Sequence, residues 1–244
     1  MSKLGILIKG ELSRLTKYHV TTVSILVAIM WFLILFFIDD KDIMNQLLPM
    51  LLIIDGTMMS IIFIGAVMFF EKTESTFSTM LVTPVSNSEL ILSKAIANTL
   101  HSMFSSLLVV VVFFFIKGVD IQWHILIPGL ALSIFMHSLL GFVFSFHSKD
   151  FTTLLVNVMI YSFVITIPVM LYYFGLILQA DIWDILLLIV PAHASITIIE
   201  AGFGSVFDYK VIIAAVILAS YAYLGYRFYV KPKFKEYAVK QSGV

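Results

Sequence analysis

The chain has 244 residues, 61% hydrophobic and 12% charged, where a soluble globular domain carries about 45–50% and about 25%. A soluble fold of this size has too little interior to hide so much apolar surface. The net charge is zero, which points to no nucleic-acid partner, and the lack of cysteine excludes disulfides, thiolate catalysis and Cys-based metal sites.

Residues 3–17 (KLGILIKGELSRLTK) repeat with a helical period. At about 3.6 residues per turn, Leu4, Leu7, Ile8, Leu12 and Leu15 share one arc, opposite Lys3, Lys9, Ser13, Arg14 and Lys17. Such a basic amphipathic helix is expected to lie in the membrane interface, as an N-terminal unit over 1–19. Glu11 interrupts the apolar arc and reads as a solvated or snorkelling side chain, with a partner contact as the alternative. The apolar run from Val20 to Ile38 that follows is too long for a signal-peptide core and has no small-residue cleavage site after it.

Crossing about 30 Å of hydrocarbon takes roughly 20 apolar residues of helix. Six segments meet that length: 20–38, 46–70, 95–116, 124–146, 152–176 and 209–230. The predicted fold is an all-α integral membrane protein with a six-helix transmembrane domain over 20–230 and a basic cytoplasmic tail over 231–244. With the N-terminus inside, twelve of the fifteen Lys and Arg residues fall on the cytoplasmic side, and only Lys41, Lys117 and Lys210 stay outside, so both termini are expected in the cytoplasm. The stretch from Ile185 to Ile199 is apolar but rises only about 22 Å, short of a crossing. It reads as an outer re-entrant hairpin broken at Pro191, or as an ordinary apolar outer loop.

Between the second and third spans runs EKTESTFSTMLVTPVSNSEL. Phe77, Met80 and Leu81 stand at i, i+3 and i+4 of a short helix that Pro84 ends, and Ser86 to Glu89 spell a capping box opening the next helix. A short, capped, amphipathic helix on a cytoplasmic turn suits a partner that pushes it, and equally a membrane-surface helix with no partner. Asp55 is the one acidic residue well inside a span. It reads as lining a translocation path or meeting polar groups at a dimer interface, or as a group that water reaches where Pro49 and Gly56 loosen the helix. His101, Asn157 and Thr166 are further polar groups at membrane depth, candidates for the same path or for helix–helix packing. Pro168 is expected to kink the fifth span.

No chemistry of the chain's own is visible. The sequence has no G-x-x-x-x-G-K-S/T phosphate cradle, no H-E-x-x-H and no G-x-S-x-G, and its six scattered histidines include no pair at i, i+3 or i+4. No metal site is expected.

The run from Glu71 to Lys94 resembles the intracellular loop of type-2 ABC export permeases. The matching positions are Glu74, Thr76, Leu81, Thr83, Pro84, Glu89 and Lys94, while Ser75 stands where that family has glycine. The overall plan is similar too: amphipathic N-terminal helix, six spans, a coupling helix after the second and an outer hairpin before the sixth. The loop and the length look most similar to small drug-export permeases of the fluoroquinolone type. The resemblance implies an export permease that is not itself an enzyme, paired with a second copy or homologue. Two cytosolic ATP-binding cassette subunits, holding the ATP and Mg, would grip Glu71, Glu74, Thr76, Phe77, Met80, Leu81, Thr83, Pro84 and Glu89. The rival readings are a membrane scaffold or assembly protein and a membrane-embedded enzyme.

Overall fold

The structure, a computed structural model, describes residues 2–76, 83–178, 180–204 and 207–241, with side chains as far as Tyr237. The central turns of the expected coupling helix, with Phe77, Met80 and Leu81, lie outside the described residues. All regular elements described are helical.

Helix α1 (Lys3–Lys17) begins on Ser2, whose hydroxyl accepts the Gly5 N–H at 3.2 Å, and ends with Arg14 and Lys17 in its last turn, where cations favour the helix dipole. His19, in the left-handed region at φ 59°, turns the chain by 67° into α2 (Val20–Phe36). Helix α2 is apolar on every side and shows Ile25, Leu26, Ile29 and Leu33 to the surroundings, as a lipid-facing span should.

Helix α3 (Lys41–Thr73) is 33 residues long, rising about 50 Å, and reaches further at both ends than the apolar run alone indicated. Its α-helical ladder widens to a π turn at Ile54–Met58, one turn past the buried Pro49. Helix α4 (Asn87–Lys117) opens on the expected capping box, the Ser86 hydroxyl accepting from the Glu89 N–H at 3.3 Å and the Glu89 carboxylate from the Ser86 N–H at 2.7 Å. Then come α5 (Trp123–His147) and α6 (Phe151–Tyr173). In α6, where the sequence predicts a kink at Pro168, a π turn at Ser162–Thr166 ends two residues before that proline, which lacks the N–H to continue the ladder.

The hairpin expected before the last span consists of α7 (Ile182–Ile189) and α8 (Pro191–Ala201), bent by 115° at Val190 with Pro191 opening the second arm. Eight of the eleven residues of α8 are buried, because this arm sinks between α3, α5 and the last helix. That helix, α9, runs Tyr209–Leu224, passes a π turn at Gly225–Val230 and continues as Lys231–Gln241. The basic stretch after 230 is helical, and its Phe234 and Tyr237 are buried against Phe142 and Phe146 of α5.

Helix α5 is the centre of the bundle, packed against α3, α4, α8 and α9. It gets that close by omitting side chains. A Cβ at Gly141 would lie 2.9 Å from the Ile61 carbonyl oxygen of α3 and 2.8 Å from the Ile64 Cβ. Backbone cannot step aside as a side chain can, so the Gly141→Val variant should lose about 1–3 kcal/mol to overpacking. The check is a lower unfolding midpoint in detergent than that of the wild-type chain.

Candidate functional site

A cluster of interlinked charged side chains lies at one end of the molecule, where α1 meets the base of α3 and the start of α4. Glu11 and Arg14 stand one turn apart on α1, Glu71 lies in the last turn of α3, and Lys94 is in the second turn of α4. Arg14 donates to Glu11 at 2.9 Å and to Glu71 at 2.8 Å. Lys94 donates to both Glu11 oxygens, at 3.0 and 3.1 Å, and to Glu71. Each cation thus serves both carboxylates. Glu71 is fully buried, Lys94 is 2% exposed and Glu11 5%.

This corrects the reading of Glu11 as a solvated or snorkelling side chain. The helical wheel located it rightly on the apolar arc. That arc, however, is covered by α4 and not by the membrane interface, so a carboxylate there needs a partner and finds Lys94, 83 residues away. The apolar partners of the arc include Leu15, buried with Val20, Phe63 and Val67. Helix α1 is therefore a packed part of the bundle.

The loop between α3 and α4 is tied down around this knot. Glu74 accepts from Lys17 at 2.9 Å and from the Tyr18 hydroxyl at 2.7 Å, and Tyr18 also packs on Phe70. At the far side of the loop Lys3 donates to the Pro84 carbonyl and pairs with Glu89 at 3.3 Å. Both legs of the loop are thus moored to α1. The bonds from Lys17 and then Tyr18 hold the Glu74 carboxyl below its ordinary value. This mooring therefore contributes above the unfolded carboxyl value of about 4.3 and is lost as pH falls through the lower folded value. Ser75, with φ 55°, occupies the left-handed region that glycine adopts freely, at the position where the resembled loops carry glycine. Thr76 is half-buried and Thr83 is exposed.

The four polar residues at membrane depth do not converge. Asp55, 6% exposed, accepts from the Ser106 hydroxyl at 2.7 Å inside the protomer, between α3 and α4. Thr166 is buried against the Met58 sulfur at 3.6 Å, so the π turns of α3 and α6 meet there. Asn157 donates to Ser148 at 3.0 Å, near the loop end of α6. His101 packs edge-on to Phe63 and lines an apolar groove of about 320 Å³ between α2 and α4.

Two groups escaped sequence reasoning. One is Lys94 as the hub of a buried network; the signal was available, since Glu11 and Lys94 each put a charge on an otherwise apolar helical face. The other lies at the opposite end, where Asp184 accepts from Tyr172 and from Lys210 at 2.8 Å beside a polar cavity of about 600 Å³ that Glu200 and His193 also line. No periodicity foretells that pair.

Residues 2–203, from the start of α1 to just past α8, match the model of the ABC-2 type transporter family. The chain belongs to that family. No curated protein and no solved structure gives a match. A chain of the ABC-2 type is the multi-pass membrane component of a transporter, and the long apolar helices fit that role. The match takes in the whole charge knot and the moored loop of this ABC-2 permease, and leaves out α9.

Two variants probe the knot and the loop. Lys94→Met removes one partner and leaves Glu71 and Glu11 buried with a single cation, which should cost about 3–5 kcal/mol and sharply reduce the folded yield, whereas Lys94→Arg keeps the charge and should fold. At Ser75 the glycine variant should be tolerated, while Ser75→Val should be about 1–2 kcal/mol less stable than Ser75→Gly. Thermal unfolding of the purified variants reads both.

Proposed function

We propose that this permease is the membrane half of an ATP-driven exporter of the cell membrane. Two copies, or one copy and a homologue, would work with two cytosolic ATP-binding cassette subunits, which hold and hydrolyse the ATP with its Mg; the chain has no phosphate cradle of its own. The cargo is a hydrophobic or amphipathic compound, a reading supported by the apolar groove beside His101, which is bordered by two lipid-facing helices. Both termini lie in the cytoplasm, supported by the concentration of Lys and Arg at the loop end.

The observation that carries the reading is the mooring of the 74–86 loop. A push on a free loop would be absorbed by the loop. Here the loop springs from a buried knot that also holds α1 and α4, so force applied to it reaches α1, α3 and α4 together. The differential contact that any driven conformational change requires would be made by the motor on this loop, around Glu74, Thr76, Phe77, Met80 and Leu81. The π turns at Ile54–Met58 and Ser162–Thr166, in contact through Met58, give the moving helices a place to yield at mid-membrane. Asp55 beside them, satisfied by Ser106, would serve the path when the helices part.

The double variant Phe77→Ala/Met80→Ala should weaken co-purification of the ATPase by tenfold or more while the permease still folds; unchanged recovery contradicts the proposal. Sidedness has its own test, since the native chain has no cysteine. A Thr83→Cys variant should resist a membrane-impermeant maleimide in intact cells and react after lysis; labelling in intact cells would reverse the topology.

A further inference from the structure

At the end of the molecule that carries the loop, a second charged feature is left unused by the transport reading. A groove of about 400 Å³ lies between the start of α4 and the lower part of α9, lined by Asn87, Arg227, Phe228, Lys231, Pro232 and Lys235. Arg227, Lys231 and Lys235 follow one another at steps of four residues along α9, so successive turns present them to the same groove. Among the described residues none of the three has a carboxylate within salt-bridge distance, although most other cations at this end are paired or bonded: Lys3 with Glu89, Arg14 and Lys94 with Glu11 and Glu71, Lys17 with Glu74, and Lys233 with the Tyr229 hydroxyl. Glu89, the nearest acid on the α4 side in sequence, is already occupied by Ser86 and Lys3.

The opposite wall is the start of α4, whose first turn also carries the Glu89 carboxylate, paired with Lys3. Asn87 is the first residue of a 31-residue helix whose N-terminal amides and dipole favour an anion, and its carboxamide adds a hydrogen-bond donor. The groove's own Phe228 is 70% exposed, and one turn further along α9 toward the apolar stretch Tyr223 is 64% and Leu224 48% exposed. A ligand suited to this place has a phosphate-type anion at one end and hydrocarbon at the other. The π turn at Gly225–Val230 contributes to the geometry, because it resets the register of α9 between the apolar stretch and the cationic one.

We infer that this groove binds the phosphodiester headgroup of an anionic glycerophospholipid, with Arg227 and Lys231 gripping the phosphate, Lys235 and Asn87 completing the polar contacts, and acyl chains lying along Leu224 and Phe228. Basic pockets between spans are the expected seat for such headgroups. A lipid held there bridges α9 to the start of α4, the far leg of the loop. It would tie the one helix outside the family match to the element that receives the push. The inference does not depend on the identity of the cargo or of the motor.

The test uses the full-length protein in nanodiscs of phosphatidylcholine containing graded phosphatidylglycerol, with retained lipid counted by native mass spectrometry after release. The wild-type chain should retain phosphatidylglycerol over phosphatidylcholine. Arg227→Gln/Lys231→Gln should retain it about thirtyfold less well, the loss of two direct charge-assisted contacts to the phosphate. Arg227→Lys/Lys231→Arg should keep most of the retention, which guards against a folding defect. Lys9→Gln/Lys149→Gln removes the same charge elsewhere and should change little. Equal losses in the two neutralised pairs would mean diffuse attraction and overturn the site, as would no loss in either. Displacement of the bound lipid by millimolar inorganic phosphate or glycerol phosphate would mean a soluble-anion site and likewise overturn the lipid assignment.

Discussion

Three charges taken out of water, Glu11, Glu71 and Lys94, with the part-exposed Arg14 beside them, set the architecture of the loop end. An ionised carboxylate or ammonium inside protein is tolerated only when its partners are in place, and none of the buried Glu11, Glu71 and Lys94 is satisfied by its own helix alone. Two carboxylates against two cations make the group neutral as a whole. Three helices must therefore arrive together, and the N-terminal helix must lie across the bases of α3 and α4. A buried ion cluster is no sure gain in stability over well-packed apolar side chains. What it does ensure is registry: sliding α1 by one turn would separate the charges and leave each exposed to the low-dielectric interior. Registry is what the proposed transmission through this joint would need.

From that joint the rest of the molecule divides into stiff and yielding parts. Helices α3 and α5 are welded along Gly141, where backbone meets side chain with no space for a methyl group. The same helix α3 carries a π turn halfway along, facing the π turn of α6 across the Met58 sulfur, and both follow or precede prolines that break the hydrogen-bond ladder. In the proposed mechanism, force entering at the loop would reach stiff helices that carry π turns about halfway along their length. The polar groups Asp55, Ser106 and Thr166 lie at those points, each satisfied within the protomer.

Sequence patterning revealed what depends on neighbours along the chain. The apolar runs gave every long helix, with α2 (Val20–Phe36) and α5 (Trp123–His147) within a few residues of the expected spans, because length and hydrophobicity alone decide membrane crossing. The capping box at Ser86–Glu89 and the break at Pro191 were equally plain, being local stereochemistry. Ends were less so: α3 begins at Lys41 and not near 46, since its first turns are amphipathic and are held by the Asp40 cap. Glu11 was misjudged for a deeper reason. A helical wheel tells which face a residue occupies but not what covers that face, and the covering element here lies more than eighty residues downstream. Lys94 was read only as a match to a loop pattern, and Ser75 as a departure from it. Their physical roles, a buried cation and a left-handed turn residue, come from tertiary packing and backbone geometry that no short window contains.

The claim that the knot is one interacting unit is tested most directly by a double-mutant cycle in unfolding free energy on Glu71→Gln and Lys94→Gln. If the two residues support each other as described, the double variant will be less damaged than the sum of the singles, with a coupling energy of about 1–3 kcal/mol. Additive losses would mean that Glu71 and Lys94 do not sense each other, and the account of α1, α3 and α4 as a single transmitting joint would be wrong.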